Sequence, residues 1–267
     1  MSNLGGSVAV ARRERPTRAS SRRRRRTPLQ IVAQVFGELL LTAGVVVLLF
    51  VAWQLWWTNV ESNAKQEEAV EQFFSGLDSE PAPEVAAEEP RGSEEVPVLA
   101  SRAAGETFAV VYVPRFGDDY TRPVTSGVST AVLDNLGLGH YPETAMPGAV
   151  GNFAVAGHRQ TNGAVLDNIH TLVPGDRIYV QTADGFYTYV YRNTQIVLPT
   201  QVDVLAPVPT QPGVEPTERI LTLTSCNPMF GDQERIIAYA VMDSFQHSSE
   251  GPPEEIAEQV ARAGGTA

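Results

Sequence analysis

The 267-residue sequence predicts a mainly β domain, folded as a closed or nearly closed barrel with a few short helices and preceded by a single membrane-spanning helix. Three observations carry that expectation. Six segments between about residues 107 and 245 are dominated by β-branched and aromatic residues and punctuated by turn residues. Helical patterns among them are few and short, whereas a parallel α/β sheet needs a helix after nearly every strand. Residues 39–57 (LLLTAGVVVLLFVAWQLWW) are apolar apart from the uncharged Thr42 and Gln54. At the helical rise they cover about 29 Å, close to the hydrocarbon thickness of a bilayer.

From the N-terminus, charge divides the chain. The formal charge is -11, yet residues 1–58 hold nine arginines against Glu14 and Glu38, a net of +7, which leaves -18 for residues 59–267. Arg12, Arg13, Arg15, Arg18 and the run from Arg22 to Arg26 make residues 1–30 a basic tail too poor in apolar groups to pack. Residues 31–58 form the anchor, with Trp53, Trp56 and Trp57 where an interfacial aromatic belt belongs. A cleaved signal peptide has a shorter apolar region and a small-residue site after it, which Trp56-Trp57-Thr58-Asn59 is not. Basic residues beside such a span follow the positive-inside rule, so a nucleic-acid role is not needed to explain them. The rule places residues 1–30 in the cytoplasm and the remainder outside.

Residues 59–106 are rich in Glu, Ala and Pro and read as an acidic stalk that holds the folded domain off the membrane. Within it, residues 65–77 form one amphipathic helical piece, with Val70, Phe73, Phe74 and Leu77 at helical spacing. The folded domain occupies residues 107–246. Strands are expected at 107–113, 152–156, 177–182, 186–198, 220–226 and 235–242, and short helices at 130–136 and 164–171. Residues 247–267, rich in Ser, Pro, Glu and Ala, read as a loose tail.

Function centres on residues 219–228 (RILTLTSCNP), which hold the sole cysteine. Alternation places Leu221 and Leu223 on one face and Thr222, Thr224 and Cys226 on the other, and Asn227-Pro228 stops the strand because proline cannot donate to a ladder. That puts a thiol at a strand end on a hydroxyl-lined face. A lone cysteine is also a small buried hydrophobe in many proteins, so two further features matter. The strand at 152–156 ends at Gly157 and presents His158, a group able to move protons near neutral pH. Arg235 opens the final strand nine residues after Cys226, where a permanent guanidinium can stabilise an oxyanion or bridge a neighbouring acid. His140, His170 and His247 have weaker settings. With no CxxC pair and no Cys/His cluster, neither a metal, a cofactor nor a disulfide is expected.

The blocks G-H-Y-P, A-M-P-G-A-V-G-N-F-A-V-A-G-H-R and T-L-T-S-C-N-P, followed by Arg235, resemble the sortase transpeptidases of Gram-positive bacteria, and most nearly their class E branch. The resemblance covers about residues 107–245. It implies an eight-stranded barrel, Cys226 as nucleophile, His158 as general acid and base, and Arg235 as stabiliser of the oxyanion or substrate. Substrates would be surface proteins bearing a C-terminal L-A-x-T-G or L-P-x-T-G sorting signal, and the acceptor a peptidoglycan amine. Tyr141, together with Thr222 and Thr224, is the candidate lining for the substrate groove. Ser225 departs slightly from the family's more usual threonine and keeps the hydroxyl. Two other readings stand beside this one. A papain-type peptidase or wall hydrolase would normally place Cys before His, and an anchored β-domain with an inert cysteine would only display a binding surface.

Overall fold

The structure is a computed structural model and describes residues 27–79 and 96–264. The apolar stretch lies in helix α1 (Pro28–Ser79), 52 residues long. The chain separates into two compact units after Phe50. In the first unit the helix is exposed throughout, and none of its most apolar window is buried, as a candidate membrane span requires. The basic tail 1–26 and the Pro/Glu-rich residues 80–95 lie outside the described residues.

In the second unit, α1 does not stand off from the domain as a stalk would. Val70 and Phe74 are buried against Val110, Tyr112, Tyr179, Phe186, Ile256 and Val260, with Phe73 and Leu77 packed at the edge. These are the four apolar residues whose helical spacing predicts an amphipathic piece, and the barrel wall supplies the partner for that stripe.

Eight strands close the barrel in the order β1-β2-β3-β4-β7-β8-β6-β5. They are β1 (Thr107–Tyr112), β2 (Thr121–Ser126), β3 (Leu138–His140), β4 (Gly151–Ala156), β5 (Arg177–Gln181), β6 (Gly185–Val197), β7 (Arg219–Asn227) and β8 (Glu234–His247). Six match expected segments, although β8 runs further than expected. The two without a sequence signal have physical reasons for being missed: β2 contains Pro123, and β3 is three residues long within a glycine-rich stretch. Helix α2 (Thr130–Asn135) lies where predicted and bridges β2 to β3, a parallel pair that no tight hairpin can join. The second predicted helix is reduced to a 3-10 turn at Asp167–Thr171.

The barrel interior is filled by one cluster that includes Phe108, Leu138, Phe153, Val155, Ile178, Tyr187, Tyr189, Leu221, Leu223, Ile236 and Ala238. Leu221 and Leu223 therefore point inward, which leaves the hydroxyl face of β7 on the outside, as the alternation predicts. The C-terminal segment corrects the expectation of a loose tail. A 3-10 turn at Glu254–Ile256 leads into α3 (Ala257–Arg262), and Ile256 and Val260 are fully buried beside α1. Their i, i+4 spacing is an apolar stripe too short to stand out in so polar a stretch.

His140 belongs to β3 and is 2% exposed. Its ring stands edge-on to Phe108, and Nε2 lies 3.0 Å from the Ala145 carbonyl and 3.1 Å from Thr144 Oγ1. Thr144 Oγ1 donates to the Tyr141 carbonyl, so it accepts from His140. Burial pushes the imidazole below its ordinary pKa and keeps it neutral.

Two outcomes follow. Phe74→Ala should cost about 3 kcal/mol in a denaturant titration of the intact chain, the scale for deleting a buried aromatic ring. Because the folded state protonates His140 less readily than the unfolded state, its contribution is fully present above about pH 6.5 and is lost as pH falls below that value. The unfolding midpoint should therefore drop between pH 7 and 5, and His140→Gln should flatten that drop.

Candidate active site

Strand order decides where chemistry can occur. β4 and β7 run parallel and β7 and β8 antiparallel, so the C-terminal ends of β4 and β7 and the N-terminal end of β8 meet at one rim. Cys226 lies in the middle, near the end of β7, half-buried and with its thiol free. Its register partner on β8 is Arg235, so both side chains leave the same face of the sheet.

The β4 side is tied to the same level. Ala156 pairs with Thr224, Gly157 N donates to the Thr224 carbonyl at 3.1 Å, and Ser225 Oγ donates to the Gly157 carbonyl at 2.8 Å. His158 therefore leaves β4 alongside Cys226. Glycine is needed before it: a Cβ at 157 would sit 2.6 Å from Val165 Cγ2 and 2.9 Å from Leu138 Cδ2, with no room for either to move in a packed core. The structure thus brings His158, Cys226 and Arg235 to three neighbouring strand ends.

The partners of these groups were not visible in the sequence. His158 Nε2 lies 2.6 Å from Asp134 Oδ1 on α2, and Asn162 Nδ2 donates to the same oxygen at 2.9 Å. Asp134 falls in a predicted helix, and nothing local marks it. The Arg235 guanidinium is turned onto its own turn, with Nη1 donating to the carbonyls of Asp232 and Glu234 at 2.8 Å each. A second guanidinium reaches Cys226 directly: Arg159 Nη1 donates to the Cys226 carbonyl at 3.2 Å and to Asn227 Oδ1 at 2.6 Å. Arg159 is only 6% exposed. Burial lowers its pKa while the charge on Cys226 acts in the opposite sense. Its one sequence signal is adjacency to His158.

Of the candidate groove residues, Tyr141 is half-buried, and its hydroxyl lies 3.2 Å from Thr224 Oγ1, two residues from Cys226 on the same face. Thr224 is 6% exposed. Thr222 does not fit a ligand-facing role, because it is fully buried and its hydroxyl donates to Asn152 Oδ1 at 2.6 Å. Asn152 in turn donates through Nδ2 to the carbonyls of Val204 and Ala206, both at 3.1 Å. This bond pair holds the β6–β7 connection over the outer face, where Val204 packs on Ile237 and Tyr239. A lone asparagine within an otherwise apolar strand was the available sign of that clamp.

A thiol at a strand end, with an imidazole and two guanidiniums on the adjoining segments, has the residue types for acyl transfer through a covalent intermediate. Among the described residues, no group of three or more His, Cys, Asp or Glu is arranged to hold a metal ion.

The Sortase domain family model matches residues 111–243, from β1 into β8. Sortase SrtE1 of Streptomyces coelicolor is 36% identical over 246 residues, covering 90% of this chain, which spans 65% of that relative's length. Sortase SrtE2 of the same organism is 32% identical over 249 residues, covering 88% of this chain and 93% of the relative. Among solved structures, the SrtA sortase from Actinomyces oris is 38% identical with a TM-score of 0.59, and the match covers 61% of this chain and 94% of that one. With its closed eight-stranded barrel and a relative matched over nearly its whole length, the chain belongs to the sortase family.

Proposed function

We propose that this chain is a membrane-anchored cysteine transpeptidase. It cleaves a C-terminal sorting signal of the L-A-x-T-G or L-P-x-T-G kind and joins the freed carboxyl to a peptidoglycan amine. The observation that carries the reading is the juxtaposition of Cys226, Arg235 and the His158 segment on adjacent strand ends of one rim. Half-exposure of Cys226 speaks against an inert core cysteine.

In the first half-reaction the Cys226 sulfur attacks the carbonyl carbon of the scissile Thr-Gly bond. The carbon–nitrogen bond breaks, His158 gives its proton to the leaving amine, and a thioester remains on Cys226. In the second half-reaction the acceptor amine attacks that thioester, His158 takes the amine proton, and the sulfur leaves as the new amide forms. Charge builds on the carbonyl oxygen in both steps. Arg235 extends from the ladder position opposite Cys226, and by leaving the Asp232 and Glu234 carbonyls its guanidinium gains donors for that oxygen. Tyr141 lines the groove for the signal peptide. Arg159 braces the end of the strand through the Cys226 carbonyl and the Asn227 side chain. The arginine-rich residues 1–30 face the cytoplasm and the barrel faces the cell wall, following the positive-inside rule.

Mass spectrometry of the intact chain incubated with L-A-x-T-G and L-P-x-T-G peptides, with and without an added amine, tests this directly. A thioacyl adduct on Cys226 and an amine-dependent transfer product are expected, and Cys226→Ala should yield neither. Turnover above background in that variant would sink the covalent mechanism. Arg235→Lys keeps the charge but loses the planar fork, so the transfer rate should fall about 10²-fold, as when an oxyanion donor is removed. A near-normal rate would leave Arg235 a brace for its turn.

A further inference from the structure

The lower part of α1 carries a feature that membrane anchoring does not require. Asn59, Ser62 and Gln66 lie at i, i+3 and i+7 on one helical face, and Ser62 and Gln66 are 5% and 1% exposed. Polar side chains are seldom buried on a helix without a purpose. All of them bond to the two segments that hold His158. Ser62 Oγ donates to the Asp134 carbonyl at 2.7 Å, and Lys65 Nζ donates to Asn135 Oδ1 at 2.9 Å. Gln66 Nε2 donates to the Asn162 carbonyl at 3.3 Å, and Gly163 N donates to Asn59 Oδ1 at 3.0 Å. Asp134 and Asn162 are the residues around His158, for His158 Nε2 and Asn162 Nδ2 share the Asp134 Oδ1 atom.

The fit is close. Gly163 sits at φ 87°, a conformation that favours glycine, and a Cβ there would lie 2.5 Å from Gln66 Nε2, so a larger residue would also displace that side chain. Asn162 is also in the left-handed region, at φ 52°, a conformation asparagine tolerates better than most residues.

We propose that Asp134 and Asn162 are positioning residues for His158, and that the face of α1 spanning residues 59–66 holds them there. The inference rests on the reading of His158 as the acid and base. Asp134 fixes the imidazole through Nε2, which leaves the other ring nitrogen to move protons, much as a buried carboxylate orients the histidine of a serine-protease triad. The helix sets where α2 and the 158–163 loop sit, and therefore where that ring points. In this account the segment below the apolar span is a structural part of the active site.

Steady-state kinetics on the full chain in detergent or lipid nanodiscs test the proposal, using Asp134→Asn, the pair Ser62→Ala/Gln66→Ala, and the three together. Asp134→Asn keeps the shape and removes the charge. It should lower kcat about 10²-fold with KM unchanged, the scale of a small misplacement of a reacting group. The helix pair should lower kcat about tenfold, again with KM unchanged, because the packing of Val70 and Phe74 still docks the helix. The triple variant should be no slower than Asp134→Asn alone, because the helix acts through the Asp134 carboxylate and the Asn162 amide bonded to it, and coupled sites are not additive. Asp134→Glu should recover part of the rate. An unchanged or raised kcat in Asp134→Asn overturns the proposal, and so do multiplicative losses in the triple variant, which would make the helix a generic support. Absence of any thioacyl adduct in the unmutated chain is a separate result, and it would remove the underlying reading together with the inference.

Discussion

Everything at the rim depends on β7 being paired in parallel on one side and antiparallel on the other. A parallel neighbour brings its C-terminal end to the C-terminal end of β7, and an antiparallel neighbour brings its N-terminal end there. His158, Cys226 and Arg235 are separated by 68 and 9 residues in the chain, yet they converge because each terminates or opens one of these strands. Had β4 run the other way, its histidine would sit at the opposite end of the barrel. Side-chain identity supplies the chemistry, and register determines whether those side chains meet.

The buried hydroxyls of β7 each tie a neighbouring segment to the strand. Thr222 acts through Asn152 on the β6–β7 connection, Ser225 acts on the Gly157 carbonyl, and Thr224 meets Tyr141. Each such group would cost stability if left unpaired, and once paired each fixes one loop relative to the nucleophile. The satellite cluster of Val197, Val204, Ile237 and Tyr239 packs beside Thr222 and Thr224 on the outer face. Thr222 and Thr224 stand on the outer face and Ser225 on the inner one, so the ties leave both sides of the strand.

Helix α1 shows how one element can meet two demands. Its upper part is apolar all round, which suits lipid. Its lower part narrows to the Val70–Phe74 stripe beside a separate polar face at 59, 62 and 66. The short helix α3 completes the wall against which that stripe packs. The barrel therefore buries the lower part of the helix as if it were one of its own layers.

Several features were legible from the chain alone. Alternation and β-branched content located six of the eight strands, and uninterrupted apolarity located the span, because both are local periodic signals. The motif blocks singled out Cys226, His158 and Arg235, since strand ends are marked by the glycine and proline that break pairing. Tertiary structure decided the rest. β2 and β3 are strands because their neighbours pair with them, against a proline and a glycine-rich context. Residues 70–77 and 256–260 are packed because each supplies the apolar partner the other lacks. Thr222 is a support under the groove because Asn152 lies beside it in the sheet. Asp134, Asn162 and Arg159 are tied around the catalytic candidates by contacts that span 24, 28 and 67 residues of the chain, distances over which no periodicity carries information. Sequence determined which residues could do chemistry and which faces were apolar, because those properties belong to single residues and their near neighbours. Only closure of the barrel decided which of them touch, because contact is set by register and packing across the whole sheet.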